Sequence, residues 1–373
     1  MEQFSEQELA HWLAFDKVSG ANLGPARILR LWDRFGSMVN AWTASAIDLR
    51  SISGLSAEIC DKFVAQRKNI DPQECLANLK SSGVRALPYS HPLYPPRFKH
   101  ISSPPAVLYI KGNLNIEDLD ASLSIVGTRK PTAYGKQCAQ EFASKLAAAK
   151  IIIVSGMAYG IDSIAHQAAL DAGGATIAIL GCGPDYCYPQ QAQALYEQIC
   201  YGEKGLVMSE YPPGTKPEKF RFPDRNRLIS GISKGTLVVE GEVTSGSLIT
   251  ADCANEQGRI VCAIPGRIDS RMSAGPLKLL KSSAHVVTSP EDVLDTLNWA
   301  TRKVDDGGPA IVELFGRERD LYEMLASEPV HFDNLSERTG MPAGELSASL
   351  TMLELAGVIT RHPGDWYSRD ERR

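Results

Sequence analysis

Residues 151–181 read IIIVSGMAYGIDSIAHQAALDAGGATIAILG, and this stretch decides the fold class. It opens on a short β-branched run, IIIVSG (151–156), and closes on a second one, TIAILG (176–181). Two parallel strands need a crossover of roughly a dozen residues or more, and the segment between these runs has that length. The stretch therefore predicts a strand, a helix and a second, parallel strand.

Similar apolar runs recur on both sides of this unit, again separated by segments of helical length. Nearly continuous apolar strands are typical of a parallel sheet that helices cover on both faces. The other runs are SLSIVG (122–127), LVMSE (206–210), TLVVEG (236–241), IVCAIPG (260–266) and HVVT (285–288). We therefore predict an α/β domain over residues 85–299, with a Rossmann-like, doubly wound, mostly parallel sheet.

The segment before the sheet, residues 1–84, predicts an all-α, SAM-like domain with two helix-hairpin-helix half-motifs, Gly20–Pro25 and Ser53–Ser56. Glycines in such hairpins let backbone N–H groups approach a phosphate closely. Hairpins of this type also serve as packing modules, and this structural use is the preferred interpretation here. The proline-rich residues 89–105 cannot continue a helix and are expected to form a linker that packs against the sheet domain.

The segment after the sheet begins with residues 300–311, which have the composition of a flexible linker. Residues 312–373 then follow the order helix, short helix, turn at Gly340, third helix and terminal hairpin, which is typical of a winged helix-turn-helix domain. The third helix would be the recognition helix, but residues 343–356 carry two glutamates and no Arg or Lys. A protein-contact or autoregulatory role is therefore at least as good an interpretation as groove reading.

The composition limits the possible partners. The 373 residues include 39 Lys and Arg against 44 Asp and Glu, a net charge of −5, so a nucleic-acid site must be a local basic patch. The eight cysteines form no Cys-x-x-Cys pair, which favours buried free thiols in a reducing compartment. Residues 1–12 are acidic and lack an apolar signal core, and no run of about 18 apolar residues occurs. We expect a cytoplasmic protein without a membrane partner.

The loops after the predicted strands hold most of the glycines and hydroxyls. Ligands of open parallel sheets bind beyond the carboxyl ends of the strands, where such loops lead into helix N-termini and accept phosphate oxygens. The loops are Gly127-Thr128-Arg129, Ser155-Gly156 through Asp162, Gly181-Cys182-Gly183 and Gly241 through Ser247. Neither G-x-G-x-x-G nor G-x-x-x-x-G-K-[ST] is present, so a dinucleotide or an NTP is not the favoured ligand and no cofactor is expected.

A basic segment, SEYPPGTKPEKFRFPDRNRLISG (209–231), follows the fourth predicted strand. Residues 215–234 carry six basic groups against two acidic ones, which supplies a local patch. Phe220 and Phe222 alternate with the cations, as a channel for single-stranded nucleic acid requires. Each ring either stacks on a base or anchors a long loop in the core, and stacking is preferred for Phe222.

Groups for catalysis are scarce. Asp162 falls where a helix N-cap is expected, and capping explains it more simply than catalysis does. His166 and Glu240 are the other candidates near the loop face, and no Cys/His spacing suits zinc. We therefore predict a binding protein rather than an enzyme, with no metal site.

The loop and strand segments resemble, block by block, the DprA (DNA-processing A, Smf) family over roughly residues 85–290. The blocks occur in a fixed order, which is more specific than any single motif. They are VGTRKPTAYG, SGMAYGIDSIAHQAAL, LGCGPDYCYP, SEYPPGTKPEKFRFPDRNRLISG, VVEGEVTSGSLITA and VCAIPG. The helical N-terminal segment and the winged-helix segment also fit the family's three-part layout.

This resemblance implies a protein that binds single-stranded DNA without sequence preference, protects incoming strands during natural transformation and loads RecA recombinase. It also implies a homodimer. Two departures stand out: Tyr159 replaces an Arg of many relatives, and residues 274–285 replace a segment that relatives use near their dimer surface. The loops, the basic segment and the resemblance together predict these strand-binding residues: Gly127, Thr128, Arg129, Ser155, Gly156, Lys216, Lys219, Phe220, Phe222, Arg225, Asn226, Arg227, Gly246, Ser247 and Thr250.

Two other functions remain open from the sequence. A nucleotide-binding or nucleotide-hydrolysing enzyme of the LOG type would share the Rossmann-like fold, but its PGGxGT-type block is replaced here by Gly241–Ser247. A transcription factor reading duplex DNA through residues 318–368 would rest on the helix-turn-helix pattern alone.

Overall fold

The structure is a computed structural model that describes residues 4–18, 23–116, 119–299, 317–325, 329–355, 358–362 and 364–369. The chain forms two compact units, residues 1–304 and residues 305–373. The predicted linker at residues 300–311 lies outside the described residues, as does the part of the first predicted hairpin at residues 20–22.

The first unit contains one nine-stranded sheet and the helices that pack on it. Its strands are β1 (Arg85–Pro88), β2 (Val107–Gly112), β3 (Ser122–Val126), β4 (Ile152–Ser155), β5 (Thr176–Leu180), β6 (Gly205–Ser209), β7 (Gly235–Val238), β8 (Ile260–Ala263) and β9 (His285–Val286). Its α-helices are α1 (Glu6–Lys17), α2 (Pro25–Phe35), α3 (Met38–Thr43), α4 (Ala46–Arg50), α5 (Ala57–Arg67), α6 (Pro72–Ser81), α7 (Ala133–Ala148), α8 (Ile161–Asp171), α9 (Gln193–Tyr201), α10 (Arg221–Ile232), α11 (Gly246–Glu256), α12 (Ala274–Ser282) and α13 (Pro290–Thr296). Short 3-10 helices cover Pro96–His100, Gln190–Ala192 and Arg271–Ser273.

The strand order is β1-β2-β6-β5-β4-β3-β7-β8-β9. Strands β3 to β9 pair in parallel, whereas β2 runs antiparallel to β1 and β6. The predicted mostly parallel, Rossmann-like sheet is confirmed, and each predicted run contains a strand. The chain builds β3 to β6 in one direction and then returns to the other side of β3 to form β7. This reversal leaves a crevice at the carboxyl ends of β3 and β7, which is where such sheets bind ligands.

The proline-rich segment differs from the expected linker. It lies between two antiparallel strands, β1 and β2, which the sequence analysis does not predict. Tyr94 and Phe98 are 1% and 0% exposed, and the Tyr94 hydroxyl donates to the Pro105 carbonyl at 2.8 Å. The prolines exclude a long helix, but the aromatic rings between them still bury apolar surface. The segment is therefore part of the core of the first unit.

The N-terminal helices share a hydrophobic core with this antiparallel edge of the sheet. Rings of Phe15 and Phe63 stack with centroids 5.1 Å apart, and Trp42 packs edge-on against Phe15. The same core includes Val107 and Tyr109 of β2. The predicted domain boundary at residues 84 and 85 thus falls inside one compact unit.

The second predicted hairpin is held by side chains of α2. The Ser53 carbonyl accepts a hydrogen bond from Arg30 Nη1 at 2.9 Å, and the Gly54 carbonyl accepts one from Arg27 Nε at 3.0 Å. Ser56 caps α5 by accepting from the backbone N–H of Ile59 at 3.3 Å. These contacts support the packing role that the sequence analysis prefers for this hairpin.

We predict that Asp16, at the contact between α1 and β2, makes a pH-dependent contribution to stability. Its carboxyl accepts from the Tyr109 hydroxyl at 2.6 Å, and burial raises its pKa from 3.8 to about 6, despite the opposing effect of that hydrogen bond. A raised folded-state pKa stabilises the fold below the unfolded-state pKa, and this stabilisation is lost as pH rises through about 6. Wild-type protein should therefore lose about 1 kcal/mol of unfolding free energy through this group between about pH 5 and pH 7.

Urea unfolding of the wild type and of Asp16→Asn at both pH values isolates this effect, because the other titrating groups are common to the two proteins. Asp16→Asn should gain about 1 kcal/mol relative to the wild type on going from about pH 5 to pH 7. Equal pH dependence in the two proteins would show that Asp16 titrates as an ordinary carboxyl.

The second unit confirms the winged-helix prediction. Its elements are α14 (Arg317–Met324), β10 (Val330–His331), α15 (Phe332–Thr339), α16 (Ala343–Leu355), β11 (Ile359–His362) and β12 (Trp366–Arg369). The strands form a sheet in the order β10-β12-β11. Gly340 ends α15 in the left-handed conformation, with φ of +65°, which glycine adopts without strain. Leu346, Leu350 and Leu353 of α16 are buried in the core of this unit.

The cysteines and the helices carry two further findings. All eight cysteines are free thiols and five of them are buried, as expected. Within the described parts of the chain, every helix is too short or too polar to cross a membrane.

Candidate nucleic-acid interface

A cavity of about 470 Å³ opens at the carboxyl ends of β3, β4 and β7. It lies at the reversal of strand order, where the fold alone predicts a ligand site. Of the predicted strand-binding residues, it is lined by Gly127, Arg129, Lys219, Phe222, Arg225, Asn226, Gly246, Ser247 and Thr250. The lining residues that were not predicted are Val126, Ala158, Asp162, Tyr188, Pro223, Ile229, Ser245 and Ile249.

Helix α10 forms one wall of this cavity. The sequence analysis treats residues 209–231 as a long loop, and this is wrong for Arg221–Ile232, which are helical. Pro223 obscures the helix in the sequence, but a proline is tolerated there because it lies in the first turn. Helical periodicity then directs Phe222, Arg225, Asn226 and Ile229 toward the cavity, which Pro223 of the first turn also lines.

Two exposed cations flank the cavity. Arg129 follows β3, and Lys219 precedes α10. Neither forms an ion pair with a carboxylate of the residues that the structure describes. Their charges are therefore available to a bound anion, in a protein whose net charge is −5.

Two aromatic rings meet at the cavity. Tyr188 and Phe222 stack with centroids 5.1 Å apart and an interplanar angle of 28°. Phe222 also packs over Gly181, where a β-carbon would lie 3.1 Å from the Phe222 ring. The sequence analysis includes Tyr188 in a quoted block but does not select it, because no spacing indicates that it meets Phe222.

The start of α11, which packs against α10, forms a second wall of the cavity. Ser245 caps this helix, and its Oγ lies 2.9 Å from Ser247 Oγ. Asn226 Nδ2 donates to the Gly246 carbonyl at 3.2 Å and so joins the two walls. No heavy atom lies within 4 Å of a β-carbon built on Gly246, so this backbone faces open space. A helix N-terminus with accessible backbone favours phosphate oxygens.

Arg225 is buried beneath the cavity and is only 5% exposed. Its Nη1 donates to the carbonyls of Gly156, at 2.8 Å, and Ile179. A β-carbon on Gly156 would lie 2.6 Å from the guanidinium, so this close approach needs glycine. Burial lowers the pKa of Arg225 to about 10, which leaves it charged at neutral pH. Arg225 thus ties the loop after β4 and the end of β5 to α10.

Asp162 lies close to this guanidinium and has a role different from the predicted one. The expected N-cap is wrong: α8 is capped by Gly160, and Asp162 lies in its first turn. The Asp162 carboxylate accepts from the backbone N–H groups of Gly156, at 3.1 Å, and Ala158, at 3.3 Å. Burial raises the pKa of Asp162, while the positive charge of Arg225 opposes this rise. Asp162 and Arg225 therefore both hold the loop after β4, and they bind the N–H and the carbonyl of Gly156, respectively.

Three predicted cations and rings lie outside the cavity lining. Arg227 forms an ion pair with Glu210 on another face of α10. Phe220 is 60% exposed and lies against the Arg221 guanidinium. Lys216 is exposed, and its carbonyl accepts from Arg221. Their assignment to the strand stays a prediction.

Three further predicted residues support the floor rather than line it. Thr128 N–H donates to the Glu240 carbonyl at 2.7 Å. Ser155 is fully buried, and its hydroxyl donates to the Ile125 carbonyl at 2.6 Å. Gly156 packs against Arg225, as described above. These residues fix the ends of β3 and β4 to their neighbours.

The remaining candidates for acid-base chemistry already have structural partners. Glu240 accepts from the N–H of Thr132 at 2.9 Å and from its hydroxyl at 2.6 Å. His166 is buried, and burial together with the charge of Arg225 lowers its pKa to about 3. Across the described ranges, no group of three or more His, Cys, Asp or Glu residues is arranged to hold a metal ion.

Comparisons with known protein families match both units of the chain. Residues 85–298 match the family described as "DNA recombination-mediator protein A", and residues 309–365 match "DprA winged helix domain". "Protein Smf" of Synechocystis sp. is 34% identical, over 98% of this chain and 100% of that protein. "DNA processing protein DprA" of Bacillus subtilis is 37% identical, over 74% of this chain and 91% of that protein.

Two solved structures are similar to this fold. DNA processing protein A from Streptococcus pneumoniae has a TM-score of 0.68 and 32% identity, covering 79% of this chain and 98% of that one. The DNA processing protein A of Helicobacter pylori, described with a unique single-stranded DNA binding mode, has a TM-score of 0.52 and 30% identity. That match covers 58% of this chain and 96% of the Helicobacter chain.

Proposed function

Because the chain belongs to the DNA recombination-mediator protein A family, we propose that it binds single-stranded DNA, with the strand held in the cavity at the carboxyl ends of β3, β4 and β7. The Helicobacter relative is described as a binder of single-stranded DNA. One observation in this chain carries the proposal: Arg129 and Lys219, which have no ion-pair partner in the described part of the chain, border the same cavity as the stacked rings of Tyr188 and Phe222. Cations beside stacking rings are what an unpaired strand requires.

The chemistry of the cavity favours a single strand over a duplex. In a duplex the bases already stack on one another, and a ring can reach a base face only by unstacking it. A single strand offers its bases to Phe222 and its phosphates to the cations at little cost. We therefore expect affinity for oligothymidine to exceed affinity for duplex of the same length, and to fall as salt rises.

A titration of labelled oligothymidine against the full chain at two salt concentrations tests the proposal, with the matched duplex as competitor. We expect binding of the labelled strand to weaken as salt rises. Oligothymidine should displace the labelled strand better than duplex does. An affinity that does not change with salt, or that is higher for duplex than for oligothymidine, would contradict the proposal.

Phe222→Ala should weaken single-strand binding about tenfold, because stacking on an aromatic ring contributes about 1–3 kcal/mol per base. Tyr201→Ala is the control, since Tyr201 is 67% exposed at the end of α9 and lies outside the cavity lining. The fluorescence anisotropy of labelled oligothymidine measures both. An equal loss in the two variants would place the stacking contact outside the cavity.

We propose a binding role rather than catalysis, because the carboxylates nearest the cavity are already engaged. Asp162 accepts two backbone N–H groups and Glu240 accepts two groups of Thr132, so both carboxylates serve to hold loops in place. Incubation with nucleoside monophosphates tests the rival LOG-type enzyme. Release of free base at rates above background would revive it.

The finer parts of the proposal follow from family membership. They are protection of incoming strands during natural transformation, loading of RecA recombinase and assembly as a homodimer in the cytoplasm. RecA filament formation on strands already covered by a single-strand-binding protein, with and without this chain, tests loading. Sedimentation of the full chain tests the dimer.

A further inference from the structure

A second, larger groove continues from the cavity over Arg129. It has a volume of about 890 Å³ and lies between the loop after β3, the start of α8 and the start of α9. Arg129 lines both spaces, and Ala158 of the cavity is followed directly by Tyr159 of the groove. The two spaces are therefore adjacent parts of one surface of the first unit.

The junction between cavity and groove is closely packed. Gly160 has a φ of +80°, and a β-carbon there would lie 2.4 Å from the Thr128 carbonyl oxygen. The N–H of Ile161 donates to the same carbonyl at 3.2 Å. The loops after β3 and β4 are thus joined at this point, which fixes Arg129 and Tyr159 relative to each other.

The groove carries an excess of positive charge. Its lining includes Arg129, Lys130 and Lys136, and no Asp or Glu is among the described residues that line it. Lys130 and Lys136 are exposed, and no carboxylate in the described ranges pairs with them. In a chain with a net charge of −5, such a local surplus of cations suits a polyanion.

The groove also presents an aromatic ring. Tyr159 is 43% exposed, and its hydroxyl donates to the side-chain oxygen of Gln191, which lies just before α9. This hydrogen bond holds the ring by its edge and leaves ring surface in contact with solvent. A ring presented in this way can accept the face of a base.

We propose that this groove is a second subsite for the same single strand, in which Lys130 and Lys136 pair with phosphates and Tyr159 stacks on a base. The inference rests on the proposed function of the cavity and extends its footprint. Arg129 then contacts the strand where it leaves the cavity. An acidic protein segment is the other polyanion that could fit the cations, but it would not need the ring of Tyr159.

Oligothymidines of increasing length separate the two subsites. Oligomers from about 4 to about 16 nucleotides span the range of known single-strand footprints. The shortest that binds should occupy the cavity alone, and longer ones should gain affinity by entering the groove. Wild-type binding to the shortest oligomers tests the cavity, whereas the gain with length tests the groove.

Lys130→Ala/Lys136→Ala should lower affinity for the long oligomers about tenfold at about 0.15 M salt and leave the shortest unchanged. The slope of log affinity against log salt should fall by about 1.4 for the long oligomers, since each phosphate contact on a single strand contributes about 0.7. Lys145→Ala/Lys204→Ala is the charge-matched control. Lys145 lies in the last turn of α7 and Lys204 just before β6, at the opposite edge of the sheet.

Tyr159→Ala should lower affinity about tenfold for the long oligomers only. Tyr159→Phe, which keeps the ring, should keep most of the wild-type affinity. If the lysine and tyrosine variants bind every length as the wild type does, the groove is not part of the footprint and the inference is overturned. If the lysine variant loses affinity for the long oligomers but neither tyrosine variant does, the inference is also overturned. The groove would then bind the strand through charge alone. Failure of the wild type to bind any oligomer would instead count against the proposed function itself.

Discussion

Arg225→Met is expected to lower the free energy of unfolding by about 3 kcal/mol. The substitution removes the donor for the carbonyls of Gly156 and Ile179, and each buried acceptor left without a partner costs about 1–3 kcal/mol. It also leaves the buried Asp162 carboxylate without its compensating positive charge. The cavity should lose its shape with the loop after β4, so single-strand affinity should fall as well.

Urea unfolding measures the stability change, and Arg267→Met is the control. Arg267 pairs with Asp269 at an exposed site, so its replacement should cost less than about 1 kcal/mol. The double variant Asp162→Asn/Arg225→Met should be more stable than the sum of the two single changes predicts, because the neutral amide no longer needs a counter-charge. Strict additivity of the two changes would show that Asp162 and Arg225 do not interact.

Arg129→Ala/Lys219→Ala is expected to weaken single-strand binding by about 100-fold or more. Hydrogen bonds to charged groups contribute about 1.5–3 kcal/mol each, and two of them would be lost. Both side chains are exposed and without ion-pair partners in the described ranges, so the fold should be unaffected. The salt dependence of binding should also fall, by about 1.4 in log-log slope.

Anisotropy titrations at several salt concentrations measure both effects, and urea unfolding confirms that the variant is folded. Lys145→Ala is the control, because this cation lies away from the cavity on α7. An unchanged affinity in the Arg129 and Lys219 variant would mean that the strand binds elsewhere on the chain.

The sequence analysis predicts more of the sheet than of the site. Apolar runs report strands directly, because a strand buried on both faces needs apolar residues along its whole length. The antiparallel strands β1 and β2 are missed because the prolines between them dominate the local pattern. The helix α10 is missed for a similar reason, since Pro223 and the dense charges of the segment resemble a loop.

Residues that act through a partner distant in sequence are the hardest to identify. Tyr188 meets Phe222 only because β5 and α10 lie side by side in the fold. Asp162 resembles an N-cap in sequence, and its bonds to Gly156 and Ala158 depend on how the loop after β4 folds back. Arg225 and Arg227 are both cations of one basic segment, yet the helical turn between them directs one beneath the cavity and the other toward Glu210.

The sequence by itself determined the class of the fold, the succession of its strands and the loops that supply the site. These follow from local patterns of apolar, glycine and charged residues, which each segment carries without reference to the rest of the chain. The tertiary structure alone decided which cations remain free for a ligand and which are buried as supports. That distinction depends on burial and on partners far away in sequence, because a charge removed from water must be paired inside the protein.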